Sequence, residues 1–397
     1  MTINNEHKKL NVPNLRFPEF QGEWMESTIG KQFELYSGNT PSRLNKDYFK
    51  GEINWISSGE LKDHYIYSSK EKISQEASLN LKLLPAGTFV IAIYGLEAEG
   101  VRGTGSIIKE QSTISQACMA FSSIGEVENE FLYSWYKKHG NIIGLKYAQG
   151  TKQQNLSYDI LERFKIAYPS KQEQEKLCNF ISLLDERIAT QNKIIEDLKK
   201  LKSAIIEMEY GNMAKSISHI GDFIEQTSKR NKDSVILNVL SVSNSQGFIQ
   251  QSEQFENRIV ASDDTSNYKI VARNDFAFNP ARINVGSIAR LTTFERGIVS
   301  PMYICFRTKN NLFPEYLDYF FESKRFFAEI QKRLEGSVRQ CLSFEGLCNI
   351  PLCIPTVEVQ QQIGKRLSTL AKEIKLEIDF LELLQRQKRF LLHQMFI

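Results

Sequence analysis

The chain repeats itself, and that duplication constrains its fold more than any other feature. Residues 150–210 align with 336–396 without a gap, at a constant offset of 186 residues. Gly150-Thr-Lys-Gln-Gln-Asn-Leu-Ser-Tyr-Asp-Ile-Leu161 matches Gly336-Ser-Val-Arg-Gln-Cys-Leu-Ser-Phe-Glu-Gly-Leu347. The shared pattern is G-[ST]-x-[QR]-Q-x-L-S-[YF]-[DE]-x-L, followed by matched Pro169/Pro355 and Gln174/Gln360. Thirteen of the 61 aligned positions are identical, where average composition would give about four by chance. Upstream the match continues with small gaps: Gly105-Ser-Ile107 with Gly286-Ser-Ile288, and Glu130-Phe-Leu-Tyr-Ser-Trp-Tyr136 with Glu315-Tyr-Leu-Asp-Tyr-Phe-Phe321. Before that it fades to hydrophobic pattern, Phe89-Val-Ile-Ala-Ile against Phe276-Ala-Phe-Asn. A period of this length is far too long for a solenoid. It describes two copies of one domain-plus-helix unit, each with a variable front and a more uniform back.

Each copy ends in a predicted long helix. Residues 171–208 contain no Pro and no Gly, and such a helix would be about 57 Å long at ~1.5 Å per residue. Leu177, Ile181, Leu184, Ile188, Ile195, Leu198 and Ile205 fall on a heptad seam, interrupted by Gln191 and Lys202. The second copy runs Ile363, Leu367, Leu370, Ile374, Leu381, Leu384 and Leu391, interrupted by Glu377 and Lys388. Both helices open just after a proline. The seam is narrow and the outer face is crowded with Lys and Glu, as expected of two helices that pair. The alternative is that each helix packs only on its own domain. The lysine run Lys199, Lys200 and Lys202 reads as a solvated helix face.

The front parts read as mixed α/β. Phe89 to Tyr94 and Gly297 to Phe306 are predicted strands, Tyr94 to Gly105 a glycine-rich loop, and Phe131 to Lys138 and Tyr316 to Leu334 helices.

Composition narrows the function classes. A net charge of +3 means that any nucleic-acid surface must be local. No run of about 18 apolar residues predicts a membrane span, and the polar stretch Met1 to Gln21 is not a signal peptide, so a cytoplasmic protein is expected. The six cysteines (Cys118, Cys178, Cys305, Cys341, Cys348, Cys353) form no C-x-x-C pair, and the five histidines are scattered, which predicts free thiols and no zinc site. An adenine methyltransferase would need a D/N-P-P-Y/F loop. Asn279-Pro-Ala-Arg282 lacks the second proline and the aromatic that stacks on a flipped base. Gly95, Gly100, Gly103 and Gly105 lead to no G-K-[ST], so they are not a phosphate loop. No nuclease-like D…E-x-K cluster stands out.

Two α/β domains alternating with two long helices, with G-[ST]-x-x-Q-x-L-S before each helix and P-x-x-x-x-Q leading into it, resemble the HsdS specificity subunits of Type I restriction-modification systems. Ser37-Gly-Asn-Thr-Pro-Ser42, Ile53-Asn-Trp-Ile-Ser-Ser-Gly59, Leu240-Ser-Val-Ser243 and Phe278-Asn-Pro-Ala-Arg-Ile-Asn-Val-Gly-Ser-Ile288 are similar to strings of the same family. The resemblance covers essentially the whole chain. It implies target-recognition domains at 1–168 (with an N-terminal extension) and 211–354, and spacer helices at 169–210 and 355–397. The helices would form an antiparallel coiled coil with an internal pseudo-two-fold repeat. Each recognition domain would read one half of a split, asymmetric site in double-stranded DNA. Two modification (M) subunits would supply S-adenosylmethionine and adenine methylation, and ATP- and Mg2+-dependent restriction (R) subunits would complete the nuclease. This chain would bind no cofactor or metal, catalyse nothing itself and contact no membrane.

Arg and Gln suit bidentate contacts with guanine and adenine. The candidate DNA contacts are therefore Thr151, Lys152, Gln153 and Gln154 in one copy, and Ser337, Arg339 and Gln340 in the other. The alternative for these is a structural turn ahead of a short helix capped by Asn155 or Ser157. Asn279 and Arg282 are further candidates, against an internal salt bridge or turn. Ser42, Arg43 and Lys46 are weighed against a solvated loop, and Tyr94 and Arg102 against packing and surface charge. Two other function classes stay open: an enzyme with unrecognised motifs (methyltransferase or nuclease), and a structural protein whose coiled-coil arms bridge two partners.

Overall fold

The computed structural model describes residues 10–98, 100–150, 154–211, 218–244, 246–251, 264–336 and 340–397. It divides into two compact units, residues 1–192 with 379–397, and residues 193–378. Both boundaries fall inside long helices. Each unit therefore holds one mixed α/β body, the opening of one long helix and the close of the other.

In the first unit, β1 (Met25–Thr28) pairs antiparallel with β10 (Lys165–Tyr168). A five-stranded sheet runs β2 (Phe33–Ser37), β9 (Cys118–Ser123), β6 (Phe89–Ala92), β7 (Gly105–Ile108), β4 (Tyr65–Ile66). A second sheet runs β5 (Glu71–Ile73), β3 (Ile53–Ile56), β8 (Ser112–Ile114), with β3 and β8 parallel. The helices are α1 (Ile29–Gln32), α2 (Gln75–Ser78), α3 (Asn129–Tyr147), α4 (Tyr158–Glu162) and the first part of α5 (Lys171–Gly211). Every residue of β6 is buried, because α3 covers one face and the second sheet the other. That explains its unbroken apolar run.

The second unit repeats this plan. One sheet runs β11 (Ile224–Thr227), β18 (Ile304–Thr308), β15 (Phe276–Phe278), β16 (Ile288–Arg290), the order of β2-β9-β6-β7. The other runs β13 (Gly247–Gln250), β12 (Val239–Ser243), β17 (Arg296–Val299), β14 (Lys269–Ala272), again with one parallel pair, β12 and β17. Its helices are α6 (Pro314–Phe320), α7 (Lys324–Gln331), α8 (Phe344–Cys348) and the first part of α9 (Val357–Met395).

Three local expectations need correction. The run Gly297 to Phe306 is two strands, because Pro301 has no N–H to donate and Tyr303 N–H turns back to the Ser300 carbonyl. The stretch Tyr316 to Leu334 is two helices. Between them Ser323 donates its hydroxyl to the Phe320 carbonyl and accepts from Phe326 N–H, ending one helix and capping the next. Helix α3 runs on to Tyr147, well past Lys138. It is carried by Gly140, where a Cβ would stand 2.8 Å from Gly103 Cα. Only glycine lets the 95–105 loop lie this close to the helix.

The long helices bury the predicted seam at Leu177, Ile181, Gln191 and Ile195, and at Ile363, Leu367, Ile374 and Leu384. At the far ends the buried positions move one residue on, to Ile206 and Leu392 rather than Ile205 and Leu391. There the helix packs on an α/β body, and a straight 3.6-residue turn drifts off a heptad. Ile206 and Tyr210 join the core of the second unit, and Leu392, Met395 and Phe396 that of the first. Phe396 lies 5.2 Å from Phe131, and its counterpart Tyr210 lies 4.9 Å from Tyr316, between ring centroids.

The Pro-x-x-x-x-Gln motif is a buried clamp. In the first unit Gln174 Oε1 accepts from Glu128 N–H (3.0 Å), while Nε2 donates to the carbonyls of Glu126 (3.1 Å) and Pro169 (2.9 Å). In the second unit Gln360 Oε1 accepts from Phe313 N–H (2.8 Å), while Nε2 donates to Asn311 (3.1 Å) and Pro355 (2.9 Å). Both side chains are fully buried. Each ties the start of a long helix to the N-terminus of the helix that covers the main sheet. Replacing Gln174 with Met should strand one buried N–H and two carbonyls. The expected cost is roughly 2–4 kcal/mol, read as a lower denaturation midpoint. An unchanged midpoint would show that the clamp does not hold the unit.

Candidate nucleic-acid interface

The described residues that flank the G-[ST]-x-[QR]-Q motif are strapped in the same way in both units. Gly150 (φ 121°) and Gly336 (φ 106°) occupy positive-φ backbone that other residues rarely adopt. Bridges between Gln149 and Asn155, and between Glu335 and Cys341, close the turn. The motif's leucine then fastens it to the end of a core strand: Leu156 N–H donates to the Ile93 carbonyl (2.9 Å), and Leu342 N–H to the Pro280 carbonyl (3.0 Å). Ser343 caps α8 through Gly346 N–H, whereas Ser157 holds the cap position of α4 without a side-chain bond. The predicted residues Thr151, Lys152, Gln153, Ser337 and Arg339 lie outside the described residues. Gln340 is exposed beside the second turn.

In the first unit this strap brings the turn to the loop after β6. Leu96 N–H donates to the Gln154 carbonyl (3.1 Å), and Gln154 N–H to Glu97 Oε2 (3.0 Å). The Gln154 N–H holds the Glu97 carboxyl below its ordinary range. Tyr94, half-buried, lines a 490 Å3 cleft together with Ser37, Gln149, Gly150, Asn155 and Tyr158. Arg102 braces this loop from within. It donates to the carbonyls of Leu96 (3.1 Å) and Glu97 (3.2 Å) and to Asn141 Oδ1 (3.3 Å).

In the second unit Asn279 and Arg282 line a 340 Å3 cleft with Ser241, Gln251, Ser300 and Tyr303. Asn279 shapes the loop: its Oδ1 accepts from Ala281 N–H (3.1 Å), and its own N–H donates to the Ser287 carbonyl (3.0 Å). Ser287 N–H returns to the Arg282 carbonyl (3.1 Å), with Gly286 at φ 92° closing the turn. The Arg282 guanidinium is exposed and has no hydrogen-bond or ion-pair partner among the described residues. That sets it apart from Arg290, Arg307 and Arg273, each of which is paired.

Ser42, Arg43 and Lys46 lie elsewhere in the first unit, on a loop against the three-stranded sheet. Arg43 makes a bidentate pair with Glu71 (2.7 and 2.8 Å), which holds that carboxyl below its ordinary range. The guanidinium also stacks over Phe49 (4.1 Å) and near Trp55 (5.1 Å). Ser42 and Lys46 are exposed. The structure therefore brings Tyr94 to the first strapped turn and Asn279 with Arg282 to the second, and leaves the Arg43 loop apart. Ser37, Tyr158, Ser241 and Ser300 share the clefts but were not singled out in sequence. The [YF] position of the repeat was the available signal for Tyr158, and the strings around Ser37 and Ser241 for those two.

The family model "Type I restriction modification DNA specificity domain" matches residues 21–200 and 215–386. Over 187 residues the chain is 30% identical to the Type I restriction enzyme MjaIX specificity subunit of Methanocaldococcus jannaschii. That match covers 45% of this chain, and the chain spans under half, 42%, of that relative's length. The fold is similar to the crystal structure of the S subunit of a Type I restriction-modification system from M. genitalium. There the TM-score is 0.62 at 16% identity, covering 97% of this chain and 99% of the other. A second solved structure concerns complex assembly and conformational transition of the Type I R-M system. It matches with a TM-score of 0.53 at 14% identity, over 93% of this chain and 96% of that one. The strand order repeated in both units, the doubled strapped turn and the family match to both halves agree: the chain belongs to the Type I restriction-modification DNA specificity family.

Proposed function

We propose that this chain is the specificity subunit of a Type I restriction-modification complex, reading a bipartite, asymmetric site in double-stranded DNA without catalysing any reaction itself. The observation that carries this reading is the pairing of a repeated scaffold with divergent clefts. The strand order of the main sheet, the glutamine clamp and the leucine strap recur, whereas the loops that follow the matched core strands differ, Tyr94 to Gly105 in one unit and Asn279 to Gly286 in the other. A shared frame that carries unlike loops is what two unlike half-sites require. Family membership weighs against an unrecognised methyltransferase or nuclease and against a purely structural bridge.

In this reading the target-recognition domains are residues 1–168 and 211–354, and the spacer helices 169–210 and 355–397. The spacers run antiparallel. Their contacts within each unit support this: Asp185 meets Lys388 in the first, and Glu209 meets Arg366 (3.0 Å) in the second, so position rises on one helix as it falls on the other. Two methyltransferase (M) subunits dock on this frame and bring S-adenosylmethionine. Restriction (R) subunits bring ATP and Mg2+. The complex works in the cytoplasm; no helix among the described residues is long and apolar enough to cross a membrane.

The DNA-facing groups are the strapped turns with their cleft edges: Gln154 with Thr151, Lys152 and Gln153, Tyr94, Asn279, Arg282, and Gln340 with Ser337 and Arg339. Ser42, Arg43 and Lys46 form a secondary contact, and Arg102 supports the first loop. Arg282→Ala should weaken or relax reading of one half-site by ~1–3 kcal/mol if the contact is bidentate to a base. The check is binding to duplexes with single changes in each half. A uniform loss across all sequences would assign Arg282 to a phosphate, and no loss would remove it from the interface.

The helices set the distance between half-sites. Four residues inserted between Ile188 and Ile195 lengthen α5 by about 6 Å and rotate its far end by about 40°. Two base-pair steps span ~6.8 Å, and coiled coils absorb a four-residue stutter. Mapping methylated adenines in cells expressing the insertion should show both half-sequences kept, with one or two more unread base pairs between them. An unchanged gap at full activity would show that these helices do not set spacing.

A further inference from the structure

We propose that His64 is a protonation-dependent positioning residue: as the imidazolium it fastens the first α/β body to its two helix segments, whereas in the second unit the permanent charge of Arg290 ties the sheet only to the helix that covers it. The structural inference stands on the geometry of each unit, and its meaning for DNA reading rests on the function proposed above.

The His64 ring is stacked between Tyr65 and Tyr133, with centroids 3.9 and 4.0 Å away. Its Nε2 lies 2.8 Å from Glu130 Oε2 on α3, and its Nδ1 3.2 Å from Asp185 Oδ2 on α5. Asp185 is also paired with Lys388 on α9. A neutral imidazole has one N–H and could serve only one carboxylate. The cation carries an N–H at both nitrogens and so suits both carboxylates, hydrogen-bonding Glu130 through Nε2 and standing at ion-pair distance from Asp185 through Nδ1. One buried ring thus joins three helices to the edge of the five-stranded sheet, where Ile107 N–H holds the His64 carbonyl (2.8 Å).

The second unit keeps the contact to the covering helix, changes the cation, and has Ala371 where the first has Asp185. Glu315 is the counterpart of Glu130, and strand register places Arg290 on β16 where Ile107 stands on β7, two residues past the Ile288 that the sequence match pairs with Ile107. Arg290 reaches Glu315 (3.4 Å) and Asp318 (3.0 Å). Lys202, the counterpart of Lys388, pairs with Glu322 (2.6 Å).

Burial alone resists charge on His64, but Asp185 and Glu130 outweigh it and raise its pKa above 6.5. Asp185 is likewise opposed by burial, yet His64 and Lys388 hold it below its ordinary range. The other groups facing this cluster are Lys109, 3.8 Å from Glu130, Asp63, and the Tyr65 and Tyr133 hydroxyls, whose pKa values burial pushes up. Lys137, over the Tyr133 ring, is lowered by burial and by Lys388 to about 8. Because the folded pKa of His64 is raised, its contribution is complete below the unfolded value of about 6.5 and is lost as pH rises through the raised value. Arg290 stays charged across that range.

The test is hydrogen exchange of the full-length chain from pH 6 to 9, corrected for the intrinsic pH dependence of exchange and read without DNA, so it does not depend on the DNA-reading role. Peptides covering 60–67 and 129–137 should lose protection about tenfold as pH rises, while those covering 286–291 and 314–320 hold theirs. His64→Gln should abolish the change, leaving the first unit at its high-pH level, and Lys137→Met should retain it. An NMR titration of the wild-type His64 ring should show both nitrogens protonated at pH 6, which keeps the inference testable if the Gln variant folds poorly. Constant protection in the first unit, equal loss in both units, a slope that survives in His64→Gln or vanishes in Lys137→Met, or a neutral ring at pH 6 would each overturn it.

Discussion

The buried glutamine at the head of each long helix is the contact on which the rest of the unit depends. Gln174 and Gln360 each join three backbone groups that no regular element would otherwise satisfy. Buried polar groups tolerate only fully bonded arrangements, so the clamp admits one geometry between the long helix and the helix that covers the sheet. That helix in turn fixes the sheet, and the sheet's strand ends fix the strapped turns through Leu156 and Leu342. Position thus passes from helix to cleft through rigid elements, with loops only at the last step.

This order explains where variation is allowed. Clamp and strap are bonds to backbone atoms and to closely packed helices, and they persist in both copies. Tyr94, Asn279 and Arg282 sit on loops whose shape is already set, so such positions can differ without cost to the frame. Arg282 illustrates the division. Its backbone closes the 279–287 loop, while its guanidinium is exposed and unpaired among the described residues.

Much of the fold was legible because duplication makes the sequence its own control. The 186-residue offset located both long helices, and the seam named about half of their buried positions. It failed at Ile205 and Leu391, where packing on an α/β body, not on another helix, decides which side is buried. The breaks at Pro301 and Ser323 were missed although the sequence marked both, with a proline inside the strand run and the polar stretch Glu322-Ser-Lys-Arg325 inside the helix run. The site was less legible than the fold. An arginine's availability depends on distant partners: Arg102 is committed to Leu96, Glu97 and Asn141, and Arg43 to Glu71, yet in sequence both look as free as Arg282. Lys202, read in sequence as part of a solvated helix face, pairs with Glu322 of its own unit.

The central claim is that two separable readers share one frame. Residues 20–168 can be exchanged for the equivalent part of another family member, followed by genome-wide mapping of methylated adenines in cells carrying the complex. The account predicts that one half of the methylated motif changes while the other half and the gap between them stay the same. A change in both halves, or in neither, would contradict it.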